Sequence, residues 1–181
     1  FGQLGDGTTD PTAFPAAVVG LPNGVSDISA GANYTCALVG IDGSDGGDVY
    51  CWGSNVDGVF GNGTAGPANP TPIQLGESDI RQVATAEGAL CIVTDQKTVK
   101  CAGRNDSGQL GNGGGTGSAV FVDAGTLGNV ASITTGPLAN TFIAAVFDDD
   151  GSYISAPVEF WGWGFGGSHN FGDGATDNLL E

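Results

Sequence analysis

Few residues in this sequence could do chemistry, and the four cysteines are the most regularly placed of them. Cys36 and Cys51 flank one apolar hairpin, and Cys91 and Cys101 flank a second at matching positions. A third, similar segment carries Thr141 and Gly162 at the aligned positions, so both members are lost together. Presence and absence in pairs predicts a cross-strand disulfide. Directly opposed residues of a non-hydrogen-bonded antiparallel pair lie about 4.5 Å apart at Cα, within bridging reach. The expectation is therefore two bridges, Cys36–Cys51 and Cys91–Cys101, and with them an oxidising compartment. Four buried free thiols are the alternative. Zinc is a further rival, although these spacings lack the close cysteine pairs of a zinc knuckle.

Carboxylates supply the next candidates. "IDGSDGGDVY" sets Asp42, Asp45 and Asp48 at three-residue steps, and "FDDDGSY" sets Asp148, Asp149 and Asp150 before Gly151. Oxygen-rich, glycine-bent loops suit a hard cation such as calcium. Asp-Gly is also the commonest hairpin turn signal, and neither stretch has the EF-hand spacing, so a solvated turn is the favoured reading. No other cofactor is expected. The single histidine, His169, has no serine elbow or acidic partner at a recognisable spacing, and paired cysteines leave no thiol nucleophile. "GWGFGG" (162–167) fits a dinucleotide fingerprint only formally, since no helix-forming stretch follows it. The sequence reads as non-enzymatic. Three sequons, beginning at Asn33, Asn62 and Asn105, read as accidents of a repeat rich in Gly, Thr and Asn.

The elements that carry these residues must be short. Glycine accounts for 34 of 181 residues while 40% are apolar, so long helices are excluded and short strands joined by glycine-rich turns are expected. Twenty acidic residues face four basic ones, Arg81, Lys97, Lys100 and Arg104, all within one 24-residue window. A nucleic-acid partner is not expected, because phosphate binding needs Lys and Arg over a broad face. No apolar run is long enough for membrane insertion.

Repetition organises the chain. "GQLGDG" (2–7) returns as "GVFGNG" (58–63), "GQLGNG" (108–113) and "HNFGDG" (169–174), at offsets of 56, 50 and 61 residues. Between these phrases, "VSDISAGANYTCALV" (25–39), "IRQVATAEGALCIVT" (80–94) and "VASITTGPLANTFIA" (130–144) align without a gap. That alignment places Val25, Ile80 and Val130 together, then Ile28, Val83 and Ile133, then Leu38, Val93 and Ile143. One unit is a hairpin plus a glycine-rich connection, which cannot bury its apolar face alone. The repeats run approximately over 1–55, 56–105 and 106–165, with the start of a further one over 166–181, as a single incomplete segment.

"WGSNVDGVFGNGT" (52–64) and "GQLGDGTTDP" (2–11) resemble the repeat of the regulator of chromosome condensation family. The resemblance implies an all-β fold of four-stranded β-propeller blades, here about three, as part of a larger ring of about seven. It also implies that the glycines form tight connections between blades, with Leu4, Phe60, Leu110 and Phe171 as apolar pegs. Asn55 and Asn105 would cap those connections. The third repeat departs from the pattern, with Gly166 at the Asn position and a long insertion. Cysteines in each strand of the hairpin are similar to those of secreted bacterial members, one branch of which inhibits β-lactamases.

The functional expectation is a non-catalytic scaffold, extracellular or at the cell surface, that binds a protein partner in adhesion, surface attachment or inhibition. A structural component of a sheath, fibre or surface array is the alternative. A guanine nucleotide exchange factor for a Ran-like GTPase is also implied by the family, but an acidic chain without a basic tail argues against it. Since the sequence opens and stops inside a repeat phrase, further repeats or other copies are expected at both ends.

Overall fold

In the computed structural model the described residues are 1–40, 46–136, 139–147 and 159–165. Their regular elements are all antiparallel strands. β1 (Val25–Ala30), β2 (Tyr34–Gly40), β3 (Gly47–Asn55) and β4 (Gly66–Gln74) pair in that order as a first blade. β5 (Ile80–Thr85), β6 (Ala89–Thr94), β7 (Val99–Gly103) and β8 (Ser118–Asp123) form the second. β9 (Val130–Thr135), β10 (Thr141–Val146) and β11 (Glu159–Gly164) form the described part of a third. A single pairing, Gly47 with Ile80, joins the first blade to the second. Repeats counted from phrase to phrase and blades counted by strands are out of phase by one strand, because β4 and β8 follow the phrase.

The blades pack face to face. β6 shows why the strands read as apolar runs: Leu90 and Ile92 belong to the core against the first blade, Ala89, Cys91 and Val93 to the core against the third. A strand buried on both faces needs apolar residues at every position. Between blades 1 and 2 lie Tyr34, Cys36, Leu38, Cys51 and Phe60 against Ile80 and Val83. Between blades 2 and 3 lie Cys91, Cys101 and Leu110 against Val130, Ile133, Phe142 and Trp163. Polar side chains stitch the inner strands across the same seams. Thr85 N–H donates to Ser29 Oγ at 3.1 Å, and Gln82 both donates to the Ile133 carbonyl and accepts from its N–H at 2.9 Å.

One expectation is corrected. Thr141 does not stand at the cysteine position of the third repeat: it pairs with Gly164, while Ile143 pairs with Gly162 as Cys36 does with Cys51. The turn between β9 and β10 is two residues longer than its counterparts, since Thr135 pairs with Phe142 whereas Ala30 pairs with Thr35 and Thr85 with Leu90. A gapless alignment cannot register that insertion. The equivalent of Leu38 and Val93 is therefore Ala145, and both cysteine positions are still lost together. The outer face of the first blade is uncovered, as expected of a unit that cannot bury its apolar face alone: Val25 and Ile28 are 46% and 60% exposed, whereas Ile80 and Val83 are 0% and 4%. The first blade supplies the cover for the second, and nothing among the described residues covers the same face of the first.

Candidate functional site

The glycine-rich phrases among the described residues, and the strands that lead into them, are built for close approach. In the Trp-Gly pair that opens the motif, Gly53 has φ 99°, and a Cβ there would lie 2.5 Å from the Asn33 carbonyl oxygen. Gly103 and Gly164 repeat that geometry, against Gly88 and Asn140. This lets β3, β7 and β11 fold tightly over the preceding turn, where Ser54, Arg104 and Phe165 N–H donate to those same three carbonyls.

Asn55 and Asn105 then shape the connector. Asn55 Oδ1 accepts from Phe60 N–H at 3.1 Å and its Nδ2 donates to the Thr64 carbonyl at 3.0 Å. Asn105 Oδ1 accepts from Leu110 N–H at 2.8 Å, with Nδ2 within reach of the Gly114 and Thr116 carbonyls at 2.9 and 3.2 Å. Both side chains are buried, and they satisfy backbone groups that the turn would otherwise strand. The pegs follow from this: Phe60 and Leu110 are fully buried. Leu4 is not, at 41% exposed, and it belongs to neither core cluster. The first and third of the described connectors dock on the next blade through an indole, Trp52 Nε1 donating to the Gln3 carbonyl at 2.8 Å and Trp163 Nε1 to that of Gln109 at 2.9 Å. The second blade has Ala102 at that position, and its connector docks through Gly63 N–H on the Ala119 carbonyl at 2.7 Å.

The connectors and the β5–β6 and β9–β10 turns share one rim, and a polar cluster crosses it. Arg104, just beyond β7, lies 3.5 Å from Glu87 Oε2 and 3.1 Å from Asp106 Oδ1. Its Nη2 also donates to Asn140 Oδ1 at 3.3 Å, while Asn140 Nδ2 donates to Glu87 Oε2 at 3.2 Å. Half-exposed ion pairs of this kind contribute about 0–1 kcal/mol each, so the cluster sets geometry and charge more than stability. Asp57 and the exposed Val56 stand beside it on the second connector; the Asp57 carboxylate is near enough to Gly88 that a Cβ there would sit 3.1 Å away. Two carboxylates paired with one guanidinium, and a third on Asp57 close to Gly88, leave this rim acidic. Beneath it the Tyr34 hydroxyl donates to the Ala89 carbonyl at 2.6 Å, and burial pushes the phenol far above its ordinary range, with Asp57 adding to the shift.

The residues singled out in the sequence fall as follows. Cys36 is joined to Cys51 and Cys91 to Cys101, at S–S distances of 2.09 and 2.05 Å, each bridge buried and facing the next blade. Asp48 sits half-buried on β3 opposite Val39. Asp42, Asp45, Asp148, Asp149 and Asp150 lie outside the described residues, as do Gly166, His169 and Phe171. Among the described residues no three His, Cys, Asp or Glu side chains group as a metal site. The Glu87–Arg104–Asn140 cluster was not legible in the sequence. Asn140 comes from a different repeat than Glu87 and Arg104, and only the rarity of arginine singled out Arg104.

Residues 1–38 match the Regulator of chromosome condensation (RCC1) repeat. The chain is 30% identical to the Ultraviolet-B receptor UVR8 of Arabidopsis thaliana over 99% of its own length and 39% of that protein's. Among solved structures it resembles yeast RCC1 (Prp20) bound to Kap60, with TM-score 0.74, 20% identity, 99% of this chain and 42% of that one. Human WBSCR16 is similar at TM-score 0.67 and 20% identity, over 91% of this chain and 40% of that one. Prp20p from Saccharomyces cerevisiae, solved in a study of its binding to Gsp1p and histones, matches at TM-score 0.68. The chain thus spans about two fifths of each of these relatives, and the neighbours are β-propellers.

Proposed function

Because the chain belongs to the regulator of chromosome condensation repeat family, we propose that it is a non-catalytic scaffold that binds a protein partner outside the cell or on its surface. The connector rim carries this reading. It is held rigid by the Asn55 and Asn105 caps, bridged across blades by Glu87, Arg104 and Asn140, and offers an exposed apolar residue, Val56, among carboxylates. A pre-organised surface loses little freedom on binding. Its charge suits a partner with a basic patch. Two buried disulfides in a chain of net charge −16 support an extracellular setting. The relatives solved with or tested against Kap60, Gsp1p and histones are protein binders by those descriptions, which favours the same class of activity here.

Two other readings remain in play. The exposed face of the first blade, with Leu4, Val25 and Ile28, favours a structural role in a sheath, fibre or surface array. Exchange on a Ran-like GTPase is the reading that the family resemblance adds, but only four Lys and Arg occur in the whole sequence.

The rim is tested by position. A photo-crosslinking residue at Val56 should capture a protein partner from the extracellular fraction, and Arg104→Ala should weaken capture. The same residue at Gln96, on the opposite rim, should not capture it. Equal capture from both rims would sink the assignment.

A further inference from the structure

The three sequons are chemically alike in the sequence and quite different in the fold. An N-linked glycan needs an asparagine nitrogen that the fold does not use and a site where a sugar can stand clear of the protein. At Asn105 that nitrogen is buried among the Gly114 and Thr116 carbonyls and Asn112 Oδ1, at 2.9, 3.2 and 3.0 Å. At Asn33 the backbone carbonyl holds Ser54 N–H at 2.8 Å, and the sequon's hydroxyl, on Thr35, donates away to the Gln3 carbonyl at 3.1 Å.

Asn62 differs on every count. It is exposed, and its Oδ1 accepts from both the N–H and the hydroxyl of Thr64, at 3.1 and 2.7 Å, closing the sequon on itself. Among the described residues its Nδ2 donates to nothing. The first repeat gives an independent reason to regard that nitrogen as spare. Asp6 stands at the equivalent position and makes the same two bonds to Thr8, at 3.0 and 2.9 Å, with no nitrogen at all. Asn62 also lies against Val120 of β8, the outermost strand of its blade, where Val120 is 52% exposed. A sugar there would stand at the perimeter and shield an open strand edge.

We propose that Asn62 is an N-glycan attachment site and that Asn33 and Asn105 are not. The inference rests on the extracellular reading above. The donor is a lipid-diphosphate-linked oligosaccharide. Asn62 Nδ2 bonds to the anomeric carbon, the bond from that carbon to the diphosphate oxygen breaks, the amide gives up one proton, and the lipid diphosphate leaves. No electrons are exchanged with a third party.

The test offers the folded, disulfide-intact chain to a purified single-subunit oligosaccharyltransferase with its lipid-linked donor, and maps glycans by peptide mass spectrometry. Asn62 should be modified, with Asn33 and Asn105 bare; the reduced, carboxymethylated chain should be modified at all three. Asn62→Asp should abolish the glycan on the folded chain while leaving the melting temperature unchanged, as Asp6 implies. A bare Asn62 in a chain with both bridges intact overturns the site, and so does equal modification of Asn105. A fall in melting temperature for Asn62→Asp as large as for Asn105→Asp would overturn it as well. Failure of the extracellular reading is seen separately, as four free thiols in protein taken from its native source.

Discussion

Asn105→Ala should be among the most damaging single substitutions at a polar residue of this chain. The side chain is 1% exposed, and its removal strands Leu110 N–H and the Gly114 and Thr116 carbonyls, which it holds at 2.8, 2.9 and 3.2 Å. Leu110 is fully buried, whereas Gly114 is half-buried and Thr116 exposed, so the stranded N–H dominates and the loss is about 2–3 kcal/mol. Asn55→Ala strands the buried Phe60 N–H and one carbonyl on the exposed Thr64, for about 1–2 kcal/mol on the same scale. Urea unfolding followed by tryptophan fluorescence reads the difference: with a slope of about 2–3 kcal/mol/M, Asn105→Ala should lower the midpoint by about 1 M. Asn105→Asp separates acceptor from donor. It keeps the oxygen that Leu110 N–H needs but turns a second oxygen towards two carbonyls and Asn112 Oδ1, so it should cost at least as much as alanine. If Asn105→Asp unfolds at the wild-type midpoint, the cap is not what shapes the connector.

Four further outcomes are expected. Peptide mapping without reductant should find Cys36–Cys51 and Cys91–Cys101 linked, and loss of either bridge should cost about 3 kcal/mol; four alkylatable thiols in untreated protein would contradict both. Gly103→Ala should destabilise by about 2 kcal/mol or more, because φ is 114° and the new Cβ would run into the Gly88 carbonyl; a neutral melt would refute that. Burial raises the folded-state pKa of Tyr34 above its ordinary 10.0, so its contribution is complete below that pH and is lost as pH rises beyond it. Tyr34→Phe should therefore lessen the alkaline loss of stability, and an unaltered profile would count against it. Nucleotide release from a Ran-like GTPase should stay at its spontaneous rate with micromolar protein, and measurable exchange would overturn the scaffold reading.

How much of this was legible follows from where each kind of information sits. The propeller and its connectors were readable because each phrase must bring two backbones into contact, and only glycine permits it at Gly53 and Gly103; that requirement is local and recurs. The outer strands were not. "GPANPTPIQ" carries Pro67, Pro70 and Pro72, which argue against a strand, yet β4 forms because the residues that pair with β3 are Gly66, Asn69, Ile73 and Gln74. The prolines fall at positions the ladder skips, as an edge strand allows. The third repeat was misregistered because its turn grew by two residues, and periodicity reports a face without reporting a slip. Val25 and Ile28 mark the same limit from the other side. Their pattern matches Ile80 and Val83, but a pattern states which face is apolar and not what covers it. The rim cluster lies further still from the reach of sequence, since Glu87 and Arg104 of the second blade meet Asn140 only once the third blade is stacked against it. In a repeat protein the repeated positions specify the scaffold; the residues most specific to this chain are those where the repeats differ.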